Sequence, residues 1–298
     1  MYHNIKESYK LLKQIKNPGF EIDRLDLYNL SLHIGERDFQ VLVTDTSSNQ
    51  VMLVEDYIFP KIKSPVKTLD ILQQIFNDHH LLMAGFWDSI SVAWKNKKFS
   101  FVPEDLFSND MLSGYLRINA VYSPENDVVF KNLHQSGSYY TVFAGEKEIV
   151  DFIHSSYPSI RVKHFHQSDV LIEGLLRINN HQTPKIILFA DRFNMHIAIF
   201  KEGLMRFYNQ FPIHNFEDYT RYIDLVAKEL QIELDKQPVT FYGYIGKNTP
   251  HYEALNQFID TLEPGSRPKS MRFNFVFDEL SGHQYFDLFS IYLANNQI

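Results

Sequence analysis

One order of segments occurs twice in this chain, and it limits the available folds more than any single motif does. From Leu27, three apolar runs follow one another: Leu27–Ile34, Phe39–Val43 and Val51–Ile58. In the first, Leu30, Leu32 and Ile34 alternate with Asn29, Ser31 and His33, the period of a half-buried strand. Gly35-Glu-Arg-Asp38 and Asp45-Thr-Ser-Ser-Asn49 interrupt the runs with turn chemistry, which predicts an antiparallel meander. The period then lengthens. Val66, Leu69, Leu72, Ile75 and Phe76 form one helical stripe, with Ser64 suited to the N-cap and Pro65 to the first helical position. A strand over Ser89–Trp94 follows. From Lys185 the order returns, as strands Ile186–Ala190, Met195–Phe200 and Leu204–Phe211, a helix Asn215–Leu230 and a strand Val239–Ile245. Thr249-Pro250 then opens a helix that runs to Leu262. Gly35–Asp38 and Asp191–Asn194 occupy the same place in the two passes. A repeat of this size predicts an α/β protein of two similar halves, each a mixed sheet with flanking helices.

The segments between the passes read as a strand Lys98–Val102, a helix from Pro103 to Asn119, a strand Tyr139–Ala144, a helix Glu146–Tyr157, a strand Ile160–Phe165 and a helix Gln167–Ile178. The polar stretch Asn179–Pro184 marks a boundary. The expected organisation is a first half over residues 1–183, with an inserted strand-helix unit near 139–178, and a second half over 184–298. Met271–Phe277 is expected to be a strand and His283–Leu293 a terminal helix. Met1–Lys16 carries four lysines and a weak apolar face, Leu11, Leu12 and Ile15. It lacks the apolar centre of a signal peptide and reads as a short docked helix or a frayed end.

These residues carry a family resemblance. Two such halves are similar to the actin-like ATPase fold, a pair of ribonuclease-H-like domains. Ile186–Ile199, followed by Glu202-Gly-Leu204 and Phe211-Pro-Ile213, resembles the second phosphate-loop hairpin of actin-like pilus-assembly and cell-division proteins. Tyr139–Ile153 resembles their inserted strand-helix unit, and Val239–Ile245 with His251–Leu262 resembles their adenosine-motif strand and helix. As a whole the chain resembles a bacterial family, domain of unknown function 3822, of the same fold.

The resemblance implies a nucleotide cleft between the halves, read approximately as Asp-x-Gly, Asp-x-Gly and Gly-Gly. The glycines let backbone N–H groups reach the phosphates, and the acids help to hold Mg²⁺. Here the first slot reads His33-Ile34-Gly35, the second Phe189-Ala190-Asp191, and the adenosine motif Gly243-Tyr-Ile-Gly246. Both acids are missing, and Asp191 stands where a glycine belongs. That disfavours Mg-ATP hydrolysis and predicts a non-catalytic module with no cofactor. Its partner would be a protein or a small ligand held in a degenerate cleft; the alternative is a variant ATPase or phosphotransferase. The implied cleft residues are Gly35, Arg37 and Asp38 on the first turn, Asp191, Arg192 and Asn194 on the second, and Gly246, Lys247 and Asn248 after the adenosine strand. Arg37 and Arg192 occupy matching turns, either presenting two cations to an anion or pairing with Glu36 and Asp191.

Composition removes other classes. Thirty-six acidic against 29 basic residues give a net charge of -7, which disfavours nucleic-acid binding through a general basic field. Cysteine is absent, so thiolate metal sites and cysteine nucleophiles are excluded, and a cytoplasmic setting is expected. No apolar run reaches the ~20 residues of a membrane span. His164 and His166, with Asp169 nearby, share one strand face at a spacing that a metal can use. No third ligand is placed by sequence, and ordinary hydrogen-bonded histidines account for the pair.

Overall fold

The computed structural model describes residues 8–59, 67–134, 138–178, 185–246 and 249–295. Its contacts divide the chain into two units. The first runs to Glu173 and regains Ser270–Phe277 and the residues from Leu288 onward; the second is Gly174–Lys269 with Asp278–Asp287. The C-terminal stretches of the first unit lie beyond the linear boundary at 183/184.

The first unit opens with β1 (Lys10–Lys16), β2 (Tyr28–Gly35), β3 (Asp38–Asp45), β4 (Gln50–Ile58), α1 (Thr68–Asp78) and β5 (Ser89–Lys95). Next come β6 (Phe99–Pro103), α2 (Leu112–Asn119), β7 (Asp127–Leu133), β8 (Tyr139–Glu146), α3 (Lys147–Ser156), β9 (Val162–His166) and α4 (Gln167–Ile178). The second unit follows with β10 (Lys185–Ala190), β11 (Asn194–Lys201), β12 (Leu204–Pro212), α5 (Glu217–Glu229), β13 (Val239–Gly243), α6 (Pro250–Phe258) and β14 (Leu262–Pro264). The last helix is α7 (Phe286–Asn295).

The six-stranded sheet has the order β1-β4-β3-β2-β5-β9, and the five-stranded sheet has the order β12-β11-β10-β13-β14. Without β1, the two orders are the same. Each has an antiparallel three-strand meander followed by two parallel strands, β2–β5–β9 and β10–β13–β14. This duplicated mixed sheet matches the two similar halves that the repeat predicts and the ribonuclease-H-like topology that the resemblance implies. A separate sheet, β6-β8-β7, stands between β5 and β9 in the chain, with α2 packed on it.

Burial explains the first sheet. Leu30, Leu32 and Ile34 project from one face of β2 into a core with Leu72, Ile75 and Phe76 of α1. The opposite face of β2 is also buried, and its polar residues are matched by hydrogen bonds. Ser31 donates to Asn29 Oδ1 at 2.7 Å, Asn29 donates to Ser89 Oγ at 3.0 Å, and Gln40 donates to Asp56 Oδ1 at 3.2 Å. A strand with alternating pattern is thus enclosed on both sides, with Asn29 and Ser31 of β2 hydrogen-bonded on its polar face.

Several expected elements differ. Lys10–Lys16 is the edge strand β1, paired antiparallel with β4, and not a helix. The helix expected from Pro103 begins with two short 3₁₀ turns, and only Leu112–Asn119 is α-helical. Phe275–Glu279 is a 3₁₀ turn where a strand was expected; only Arg272 makes a bridge, to Gln50. The proposed Ser64-Pro65 cap and the Asn179–Pro184 boundary lie outside the described residues. Thr249 does cap α6, its side chain accepting from the Tyr252 N–H.

Candidate functional site

Strand register defines the two candidate turns. The last pairs of the two leading hairpins are Ile34 with Phe39 and Ala190 with Met195. Gly35–Asp38 and Asp191–Asn194 are therefore corresponding four-residue turns, and Asp191 holds the position of Gly35.

On the first turn, Gly35 faces the chain's own carboxylate. A Cβ on Gly35 would lie 2.2 Å from Asp38 Oδ1. Asp38 Oδ2 accepts from Lys95 Nζ at 2.6 Å, and both side chains are buried. Lys95 is the parallel neighbour of Gly35 across β2 and β5. Arg37 lies half-buried at the tip, its carbonyl accepting from the Phe59 N–H. His33, where the family pattern has an acid, has its Nδ1 3.2 Å from Gln40 Oε1 and is fully buried.

The second turn is closed by Asp191. Its Oδ1 accepts from the N–H groups of Phe193 at 2.7 Å and Asn194 at 2.6 Å. Its own N–H donates to the Asn194 carbonyl, and Oδ2 lies 3.5 Å from His196 Nε2. Burial, with the Asp191 charge beside it, pushes the Tyr219 hydroxyl up to about 12. Phe189 takes the other acid position, fully buried against the His196 ring. The Arg192 guanidinium lies 4.5 Å above the Tyr244 ring.

Strand β13 meets this turn. Gly243 has φ +111°, and a Cβ there would stand 2.0 Å from the Ala190 carbonyl oxygen. Only glycine allows that approach. The Tyr244 N–H donates to the same carbonyl, and the Gly243 N–H donates to His283. Gly246 serves the cap of α6, its carbonyl accepting from Thr249 Oγ1 at 2.8 Å. Lys247 and Asn248 lie outside the described residues. The Asp191 turn and the Gly243–Tyr244 bend are thus joined in the second unit, while Gly35, Arg37 and Asp38 belong to the first.

The histidine pair of β9 has its ring nitrogens engaged. Trp94 Nε1, which only donates, lies 3.3 Å from His164 Nδ1, so the His164 proton sits on Nε2 and points to His154 Nε2 at 2.9 Å. Burial, then the His154 charge, pushes His164 down to about 3. His166 bonds Ser168 and the Asn96 carbonyl. Among the described residues, no group of three His, Cys, Asp or Glu side chains is arranged for a metal ion. Asp169 instead belongs to a cluster around His134 that the sequence reading missed. His134 Nδ1 lies 3.0 Å from Glu173 and Nε2 3.0 Å from Asp169. Nε2 also lies 2.8 Å from Thr141 Oγ1, and the two carboxylates outweigh burial and raise the ring above its ordinary value. The four-residue spacing of Asp169 and Glu173 on one helix was the available signal. At the end of α1, His79 Nε2 lies 2.9 Å from Oε2 of buried Glu55.

The duplicated sheets and paired turns define an actin-like ATPase fold. Known structures agree on that point. A Bacteroides thetaiotaomicron protein with actin-like ATPase fold and unknown function matches at TM-score 0.75 and 17% identity, over 93% of this chain and 99% of that one. The PilM–PilN type IV pilus biogenesis complex matches at TM-score 0.60 and 12% identity, over 89% of this chain and 98% of that one. The chain belongs to the family described as protein of unknown function DUF3822, whose model matches residues 16–262. No curated protein is significantly similar in sequence.

Proposed function

We propose that this protein is a non-catalytic actin-like module that acts by binding a partner protein. The observation that carries this reading is the Asp191 carboxylate, which accepts from two N–H groups of its own hairpin. In a phosphate hairpin those donors serve the nucleotide. Here they are occupied by a fixed anion that would also repel a phosphate. The first turn has the same character, with Asp38 over Gly35. Neither His33 nor Phe189 supplies a carboxylate for Mg²⁺. The PilM–PilN complex offers a precedent for an actin-like chain engaged with a protein. The turns bearing Arg37 and Arg192 are the proposed contact points, and a bacterial cytoplasmic setting belongs to the same reading.

Calorimetry with ATP and ADP, with and without Mg²⁺, tests the first part. The melting temperature should stay unchanged at millimolar nucleotide, since a ligand of the native state raises it by mass action. Saturable binding tighter than roughly 10 μM, about 7 kcal/mol, overturns the reading. Turnover abolished by an Asp38 or Asp191 substitution overturns it equally. Co-purification with an Arg37→Ala/Arg192→Ala variant tests the contact points: retention of the same partner rejects the turns as the binding site.

A further inference from the structure

Helix α2 of the three-stranded sheet has two apolar faces. Leu116 is fully buried with Val102, Val142 and Ala144, and Leu112 packs on that cluster. Helical spacing puts Met111, Gly114 and Ile118 on a different face. There Met111 is 54% exposed, Ile118 is 79% exposed and Val121, just past the helix, is 92% exposed. Leu106, 70% exposed, precedes the helix, and its backbone is tied to α2. The Tyr115 hydroxyl donates to the Leu106 carbonyl at 2.7 Å and accepts from the Ser108 N–H at 2.8 Å. Gly114 keeps the middle of the stripe shallow, since its place for a Cβ lies 3.3 Å from the Met111 methyl. Large apolar side chains gathered on one short stretch mark an interaction surface, whereas scattered ones do not.

The charges around this stripe indicate what covers it. Residues 103–126 contain four carboxylates, Glu104, Asp105, Asp110 and Glu125, against one cation, Arg117, and all five are exposed. Lys131 of β7 adds one more cation beside this segment, over the Phe107 ring at 5.1 Å and bonded to Asn109, so the carboxylates outnumber the cations four to two. An acidic rim repels an anionic lipid surface and nucleic acid. A two-fold contact between copies would bring like-charged rims together. An apolar stripe flanked by lysine or arginine satisfies both the face and its rim.

We propose that this face of α2 docks an amphipathic basic helix of a partner protein. The proposal rests on the protein-binding reading above and adds a contact surface besides the Arg37 and Arg192 turns. Its probe is a synthetic leucine–lysine peptide with leucines at helical spacing, followed by fluorescence anisotropy on the full chain. Controls are the same peptide with glutamate for lysine, and a leucine–lysine peptide of scrambled order. The leucine–lysine helix should bind saturably, more weakly at high salt, and both controls should bind at least about tenfold more weakly. Ile118→Asp and Met111→Asp, both at exposed positions, should each weaken binding about tenfold or more. Leu225→Asp, on an exposed position of α5 in the second unit, should leave it unchanged. Glu104→Gln/Asp105→Asn/Asp110→Asn should flatten the salt dependence. Equal binding of the glutamate or scrambled peptide, equal loss in Leu225→Asp, or no saturable binding overturns the proposal. Dimerisation that Ile118→Asp abolishes also overturns it, because the occupant would be a second copy. ATP calorimetry on the same sample separates the two failures. No peptide and no ATP binding rejects this surface alone, whereas ATP binding rejects the non-catalytic reading.

Discussion

The carboxylate of Asp38 lies directly over Gly35, so near that a methyl group there would come within 2.2 Å of Oδ1. The glycine of the first hairpin accommodates an anion from within the chain. That anion is tied to the buried Lys95, and the turn and β5 are held as one piece. Gly35→Ala should destabilise the protein by about 1–3 kcal/mol through overpacking. Asp38→Ala should cost more, about 3–5 kcal/mol, because it breaks a buried ion pair by removing one member. Adding Lys95→Ala should recover part of that loss, so the double variant falls short of the sum of the singles. Urea unfolding midpoints at constant slope check the three values.

Asp191→Ala removes the acceptor of two turn N–H groups and should lower stability by about 1–3 kcal/mol. Asp191→Asn keeps an oxygen in the same place and should lose less than half as much. A thermal melt in which the two variants are equal would show that the turn does not depend on that oxygen.

Gly243→Ala should be among the most damaging single changes in the second unit. It combines a left-handed φ of +111° with a methyl group placed 2.0 Å from the Ala190 carbonyl oxygen. A loss of about 3 kcal/mol or more is expected, or failure to accumulate as folded protein. Circular dichroism of the purified variant decides.

The pH profile of stability should have two histidine limbs of opposite slope. Burial alone would lower the His134 pKa, but bonds to Asp169 and Glu173 outweigh it and hold the ring above its ordinary 6.5. Its contribution is therefore complete below pH 6.5 and is lost as the pH rises through the raised value. His164 behaves in the opposite way. Burial, then the His154 charge, hold it near 3, so its contribution is present above 6.5 and declines as the pH falls toward about 3. Asp169 adds to the acid limb. Burial would raise it, but bonds from His134, Thr141 and the His166 N–H keep it below 3.8, and its contribution is lost below that value. His134→Gln should flatten the alkaline limb and His164→Asn the acid one, in melting temperatures measured across pH.

Most of the fold was legible because local rules and tertiary structure agree there. The hairpin turns at Gly35 and Asp191, the Thr249-Pro250 cap and the stripe of α1 each follow from residues close in sequence. What was missed depends on distant partners. Lys10–Lys16 becomes a strand because β4 offers it an edge, and no local periodicity records that edge. β7 has a weak pattern and gains its order from β8. At the candidate site, the absent acids were visible in the residue types. The closure of the second turn by Asp191 was not, because a carboxylate facing outward and one facing its own N–H groups have the same sequence. His134 was missed for a related reason: its two carboxylates come from a helix more than thirty positions later in the chain.

β1 also bears on how the chain is made. Its hydrogen-bonding partner is β4, and β2, β3 and a hairpin separate the two along the chain. During synthesis β1 leaves the ribosome before its partner β4, and this pairing must wait until residues 50–58 have followed it out. In that interval Lys10, Lys13 and Lys16 keep Leu11, Leu12 and Ile15 from recruiting a neighbouring chain. The strand of this sheet that is made earliest is thus paired only after the fourth, β4, has been made.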